Sequence, residues 1–304
     1  MSAAPGFLRH ALHNGAPAES DRLRAAQPDP GFAEADGVFE TVRVLGGRPV
    51  GLAEHMARLA GALRALDAVP VRCDSSILLL PADEQASALG STRSTIGADV
   101  ARQAERCAVV ITANALVAGS LKIAVFREAG AWSETILARP PGYAPAQYAA
   151  GFRLQTLAGD APVGRFCNLK TLHRPHHQAA RAAAVAAGFD EALWIDRRGR
   201  VLEGSVTNVF VVCDGIVSTP TLSSGILPGV MRARVIQLLG PATVRERDIG
   251  IGELRQAQEV FVTNALLGVM PVAQVDDTAF DLQANSVTRS LMAVLADQLG
   301  SLNA

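Results

Sequence analysis

Residues 190–212 read DEALWIDRRGRVLEGSVTNVFVV, a succession of short strands and turns. EALWI is a short apolar run, RRGR a polar turn around glycine, RVLEGS a returning strand, and TNVFVV opens another. That last strand continues through Asp214-Gly215 into GIVSTP, and an Asp-Gly pair between apolar runs predicts a tight hairpin. Helical patterns flank the strands. The alanine-rich stretch after Lys170 predicts a helix ending at Gly188, with Pro175 tolerated because it falls in the first turn. LPGVMRARVIQLLG predicts a helix entered through Pro228 and left through Gly240. EVFVTNALLGVMPV predicts a final apolar strand followed by a loop.

Toward the N-terminus, VFETVRVLGGRPVGL from Val38 predicts a hairpin about Gly46-Gly47. A period of two places Phe39, Thr41 and Arg43 on one face and Val38, Glu40, Val42 and Val44 on the other. In the following AEHMARLAGALRALD, Met56, Leu59, Leu63 and Leu66 recur at helical spacing, with Arg58 off the centre of the stripe. A second helix is expected over 98–107, and strands over 121–128 and 134–140. The stretch 78–94 carries little pattern and reads as loop or frayed helix. PPGYAPAQYAAG breaks both periods, which places a domain boundary there: an N-terminal α/β domain over 1–140 and a larger one over 141–304.

Composition narrows the function. At 304 residues and 49% hydrophobic content, the chain can bury two domain-sized cores. Its 28 basic and 29 acidic residues leave a net charge of −1, which gives no footprint for nucleic acid or an anionic membrane and points to a small-molecule substrate. No signal-peptide core and no stretch long enough to span a bilayer is visible, so a cytoplasmic location is expected. Cys73, Cys107, Cys167 and Cys213 form no CxxC pair and read as ordinary buried thiols. His173, His176 and His177 have helical spacing for a metal pair, but no cysteine or second acid completes a ligand set, so no metal is expected.

Lys170 precedes Glu203 by 33 positions (203 minus 170). A lysine with a distant carboxylate suits pyridoxal 5'-phosphate (PLP): the amine holds the aldehyde as an imine and the acid keeps the pyridine nitrogen protonated. GVFETVRV, EHMARL, NLKTL, DEALWIDRRGRVLEGSVTNVF, GILPGVMR and VTNALLGVMPV, in this order, resemble the class IV aminotransferases. These are the fold-type IV PLP enzymes, which include branched-chain aminotransferase, D-amino acid aminotransferase and 4-amino-4-deoxychorismate lyase. The resemblance implies a two-domain α/β (α+β) fold of the D-amino acid aminotransferase type and a homodimer. It assigns the PLP amine to Lys170 and the nitrogen partner to Glu203. It also implies that Arg58 and the amides of Val230 and Met231 at a helix start bind the phosphate, a placement that the helix dipole favours. Where many relatives carry threonine, Met231 stands here, and Ala265 stands at a serine or threonine position of the cofactor site.

Within the family, three features resemble the lyase: Thr41, in the position of a threonine that handles a proton at the leaving pyruvyl group; the loop versions GVMR and NALLGVMPV; and Arg174. The resemblance then implies pyruvate release and 4-aminobenzoate for folate synthesis, with Arg43 and Asn264 as substrate-binding candidates. A transaminase acting on branched-chain, D- or other small amino acids is the alternative. Two segments depart from the pattern. EADG (34–37) replaces FGDG, and FREAGAWSE (126–134) replaces the loop with Gly-Arg-Gly-Tyr that usually supplies a carboxylate arginine.

Overall fold

A computed structural model describes residues 6–26, 32, 36–67, 99–128, 131–159 and 166–300. Glu34, Cys73 and the stretch 78–94 therefore lie outside the described residues. The chain divides into two units, Met1–Pro140 with Lys170–His173, and Pro141–Leu169 with Arg174–Ala304.

The first unit contains β1 (His10–His13), β2 (Ala16–Glu19), β3 (Gly37–Leu45), β4 (Arg48–Pro49), α1 (Leu52–Asp67), α2 (Val100–Ala113), β5 (Gly119–Glu128) and β6 (Ala131–Arg139). Its six-stranded sheet runs in the order β2-β1-β6-β5-β3-β4. Gly46 and Gly47 adopt φ of 56° and 71°, the left-handed pair that a two-residue hairpin turn requires, and Val44 pairs with Pro49 beyond them. The alternation along β3 is as expected: Val38, Glu40, Val42 and Val44 are buried, while Phe39, Thr41 and Arg43 are half-buried. Helix α1 packs on β3, and α2 on β1 and β6.

Along α1, Met56, Leu59 and Leu66 are buried as the spacing predicts, but Ala62 takes the place expected of Leu63, which is half-buried. Helix α2 starts where Asp99 caps the amide of Arg102 at 3.0 Å, and it continues past Cys107 to Ala113. Lys170–Leu172 forms a short antiparallel segment beside β3. The amide of Phe39 donates to the Lys170 carbonyl (2.9 Å), that of Leu172 donates to Gly37 (2.9 Å), and Val38 bridges Thr171. These backbone bonds group Lys170 with the first unit, whereas the break in both periods at PPGYAPAQYAAG placed all of 141–304 together.

The second unit contains α3 (Pro145–Ala150), β7 (Phe152–Ala158), α4 (Pro175–Ala186), β8 (Glu191–Ile195), β9 (Val201–Gly204), β10 (Asn208–Cys213), β11 (Ile216–Thr219), α5 (Val230–Leu239), β12 (Val244–Glu246), α6 (Ile251–Arg255), β13 (Glu259–Asn264), β14 (Gly268–Val275), β15 (Thr278–Ala279) and α7 (Ser286–Gly300). The main sheet path is β12-β11-β10-β13-β14-β7-β8-β9, with β15 on β14. Parallel pairs β14–β7, β7–β8 and β11–β12 make it a mixed sheet. One face packs Leu154, Leu193, Val209, Val260 and Met270. The other packs Phe210, Phe261, Met231, Val235 and Leu291, from strands and from α5 and α7.

The run 259–272 is corrected by the structure: the expected loop is a strand, β14, paired antiparallel with β13. The Asn264 side-chain oxygen Oδ1 accepts from the amides of Leu266 and Leu267, both at 2.9 Å, and so closes a three-residue turn. Cys107 is buried, while Cys167 and Cys213 are half-buried; all three are free thiols. Among the described residues no helix is long and apolar enough to cross a membrane.

Candidate active site

The expected site residues fall into two groups, one in each unit. In the first unit, β3 carries Thr41 and Arg43, α1 carries Arg58, and the segment beside β3 carries Lys170. The Lys170 Nζ lies 4.8 Å from the centroid of the Phe39 ring, on the face of β3 that also bears Thr41. Lys122 is the other of the chain's two lysines, and its Nζ lies 5.3 Å from the same centroid. Its ammonium donates to the Ala25 carbonyl at 2.8 Å. Burial and then the neighbouring Arg139 push its pKa down to about 8.

Cross-strand pairing extends this face. Thr41 pairs with Lys122, and Arg43 with Ser120, which pairs in turn with Arg139. Partners directly opposite share a face. Thr41 therefore shares a face with three cations, Arg43, Lys122 and Arg139, of which Arg139 lies two strands away, its guanidinium 3.9 Å from the centroid of the Phe7 ring that Lys122 also approaches at 5.8 Å. That Lys122 and Arg139 share this face was not legible in the sequence, because a strand residue reveals its neighbours only once the register is known.

Behind β3, Arg58 is gripped by a residue to which the sequence assigned no role. Glu40 is 1% exposed and accepts from Arg58 Nε (2.8 Å) and Nη2 (2.6 Å), while its Oε2 also meets His55 Nδ1 at 2.7 Å. Burial alone would raise the pKa of Glu40; the hydrogen bonds from Arg58 and His55 overcome this and hold it down at about 2. The two-pronged contact fixes the plane of the guanidinium.

In the second unit, Glu203, Val230, Met231, Asn264 and Ala265 gather at one end of the sheet. Glu203 Oε2 accepts from the Leu227 amide (3.0 Å) and from Asn208 Nδ2 (3.3 Å), and Asn208 also donates to the Leu227 carbonyl (3.0 Å). This ties Glu203 to the loop that enters α5. Gly229, the N-cap residue, makes no side-chain cap, and a Cβ there would overlap Asn208 Oδ1. The hydroxyl of Thr263, which pairs with Asn208 across β10 and β13, is buried with no hydrogen-bond partner among the described residues. An uncapped helix start beside a glycine cradle and an unsatisfied hydroxyl suits an oxyanion such as phosphate. Asn264 directs its side chain at its own turn and at the Val206 carbonyl (3.2 Å), and so places Ala265 in that turn.

The histidine run gathers no metal set. His177 packs edge-on against Trp194 with centroids 6.4 Å apart, and no group of three or more potential metal ligands occurs among the described residues. Arg174 is the N-cap residue of α4, with no side-chain cap bond.

The backbone has the fold of the fold-type IV PLP enzymes. The sequence profile of the family "Amino-transferase class IV" matches residues 37–275, and the chain belongs to that family. The 4-amino-4-deoxychorismate lyase structure from Pseudomonas aeruginosa is 28% identical with a TM-score of 0.71, over 94% of this chain and 98% of that one. The branched-chain aminotransferase structure from Escherichia coli has a TM-score of 0.74 at 21% identity, over 96% and 94% of the two chains. By sequence, a probable branched-chain-amino-acid aminotransferase of Aquifex aeolicus is 39% identical over 101 residues, a match spanning 32% of this chain and 32% of that protein. D-alanine aminotransferase of Bacillus licheniformis is 26% identical over 289 residues, 87% and 88% of the two.

Proposed function

We propose that this protein is a PLP-dependent lyase that splits 4-amino-4-deoxychorismate into pyruvate and 4-aminobenzoate, the latter destined for folate synthesis. The observation that carries this reading is the cationic face around Thr41. Arg43, Lys122 and Arg139 share it with a hydroxyl and, through Phe39, with the Lys170 amine. A dicarboxylic substrate needs such cations, and these offer a substitute for the arginine missing from FREAGAWSE. The likeness to the Pseudomonas lyase over nearly the whole chain supports the same branch.

The residues fit the cofactor. Lys170 would hold it by its amine, Glu203 would face the ring nitrogen, and Arg58 with the Val230 and Met231 amides would take the phosphate. Ala265 would line the site from the turn that Asn264 shapes. When bound, PLP supplies an electron-withdrawing ring. Around it, the residues move protons and hold charge. The Lys170 amine would act as general base, taking a proton from the substrate ring. Glu203, tied to Asn208 and Leu227, would hold a proton on the facing nitrogen. The Thr41 hydroxyl hands a proton to the enolpyruvyl group as its C–O bond breaks, and the remaining ring becomes aromatic. Arg43, Lys122 and Arg139 hold carboxylates through these steps.

A transaminase acting on branched-chain, D- or other small amino acids would use the same Lys170 and Glu203, and matches such as that to the Aquifex relative favour it. One experiment separates the two. Supplied with 4-amino-4-deoxychorismate, the wild type should release pyruvate and keep its bound PLP spectrum, and Thr41→Ala should lose about 10²–10⁴-fold in that rate. Conversion of bound PLP to pyridoxamine phosphate by an amino acid alone, with no pyruvate from 4-amino-4-deoxychorismate, would sink the lyase reading. The reading also carries a cytoplasmic homodimer, which light scattering of the purified holoprotein would test as twice the chain mass of 31.8 kDa.

A further inference from the structure

The carboxylate of Glu203 is only as well placed as the turn that follows it. Glu203 lies one residue before the end of β9, Gly204–Thr207 form the turn, and Asn208, which grips Glu203, begins β10. The turn carries a single internal backbone bond, from the Gly204 amide to the Thr207 carbonyl at 2.7 Å. The side chain of Glu191, at the head of β8 and 0% exposed, supplies most of the rest. Its Oε1 accepts from the amides of Ala192 (2.9 Å) and Ser205 (3.1 Å) and from the Ser205 hydroxyl. Its Oε2 accepts from the Val206 amide (3.3 Å) and the Thr207 hydroxyl (3.4 Å), with Arg181 Nη1 at 3.9 Å. A Cβ on Gly204 would overlap Thr207 Oγ1 and come within 3.2 Å of the Glu191 carboxyl carbon, so the glycine makes room for this arrangement. The turn is wound around a buried carboxylate; the Ser205 amide has a second acceptor in the Ala192 carbonyl (3.0 Å), so the hold of Glu191 rests chiefly on the Val206 amide and the Ser205 and Thr207 hydroxyls.

We propose that Glu191 is a positioning residue: by holding Ser205, Val206 and Thr207 it fixes Glu203 against Asn208 and Leu227, and so sets how firmly Glu203 would hold a proton on the cofactor nitrogen. This rests on the PLP reading given above. Glu191 touches neither substrate nor cofactor in this role; it acts through the turn.

Glu259 provides a matched control. It is also buried and also holds backbone, accepting at the start of α7 from the amides of Val287 (2.9 Å) and Thr288 (2.8 Å) and from the Thr288 hydroxyl (2.7 Å). Holoprotein of the wild type, Glu191→Gln and Glu259→Gln would be compared for PLP dissociation constant and for the pH midpoint of the visible band of bound PLP. Amide hydrogen exchange at residues 205–207 would be measured in protein stripped of cofactor. Glu191→Gln should weaken PLP binding at least about tenfold, shift the midpoint and speed exchange in the turn. Glu259→Gln should lower the melting temperature but leave both cofactor readouts within about twofold. If Glu191→Gln does not fold, Ser205→Ala and Thr207→Val should show the same shifts at smaller size. Unchanged cofactor readouts in the Glu191 or turn variants, or equal changes in Glu259→Gln, would overturn the proposal. A wild type that binds no PLP would instead overturn the cofactor reading, and this inference with it.

Discussion

Glu40 in the first unit and Glu191 in the second are both glutamates with almost no exposed surface, yet their surroundings treat them in opposite ways. Glu40 meets a cation and an imidazole, Arg58 and His55, and is held down at about 2. Glu191 meets chiefly amides and hydroxyls; burial is the largest influence on it and raises its pKa. The difference shows what each region does with a buried acid. Near Glu40 the charge is spent orienting another charge, the guanidinium of Arg58. Near Glu191 the acceptor capacity is spent shaping backbone. Burial sets the cost in both places, and the type of partner decides which way the proton affinity moves.

Substitution should expose the contrast. Glu40→Gln removes the buried charge that faces the half-buried Arg58, and an unfolding titration in urea should record a loss of about 3–5 kcal/mol. Glu191→Gln keeps one acceptor oxygen but turns an NH2 toward donors, for which about 1–3 kcal/mol is expected. Equal losses would erase the distinction drawn between a counter-ion and a backbone scaffold. Gly204→Ala, which presses a methyl group against Thr207 and Glu191, should cost about 1–3 kcal/mol by the same measurement. If alanine were accepted there without loss, the turn would be looser than the Glu191 contacts require.

Glu40 and Lys122 each make stability depend on pH. The folded pKa of Glu40 lies below its ordinary 4.5, so the stability it contributes is fully present above that value and is lost as pH falls toward about 2. Glu40→Gln should flatten this acid limb in thermal melts taken across the window, and an unchanged limb would assign it elsewhere. The opposite sign applies to Lys122. Its folded pKa is depressed from 10.5 to about 8, so the cost of burying its charge is present in full below about 8 and disappears as pH rises through 10.5. Stability should therefore climb modestly across that interval in the wild type and not in Lys122→Met. Once the ammonium is gone a carboxylate loses a partner, so KM for a dicarboxylic substrate should rise above about pH 8. A flat KM through pH 9.5 would remove Lys122 from substrate binding.

Much of this was legible in the chain. The Gly46-Gly47 and Asp214-Gly215 hairpins, α1, α4 and α5 were marked by strong periods and by glycine or proline at their ends. The first hairpin, β1 to β2, turns at Asn14-Gly15 with φ of 51° and 83°, but HALH and APAE alternate too weakly to reveal it. Pro271 concealed β14, since a proline normally argues against strand. Helix α7 drew no attention because SVTRSLMAVLADQLG carries neither a proline start nor a glycine until its last residue. Among site residues, Lys170, Glu203, Arg58 and Thr41 stand inside recognisable motifs. Glu40 was visible as the one acid on a buried strand face, and its partners His55 and Arg58 lie three apart on the next helix, but their meeting depends on how α1 packs on β3. Glu191 and Asn208 lie within the most informative run of the sequence, yet their roles arise from a turn whose hydrogen bonds no pattern of side chains spells out.

An imine between Lys170 and PLP underlies the proposed chemistry, and the composition makes it simple to test. Lys170 and Lys122 are the chain's only lysines, and both stand over the Phe39 ring. Holoprotein reduced with borohydride, digested and mapped by mass spectrometry should carry a phosphopyridoxyl group on the peptide containing Lys170 and none on the peptide containing Lys122. A label on Lys122, or no label on either, would contradict the account.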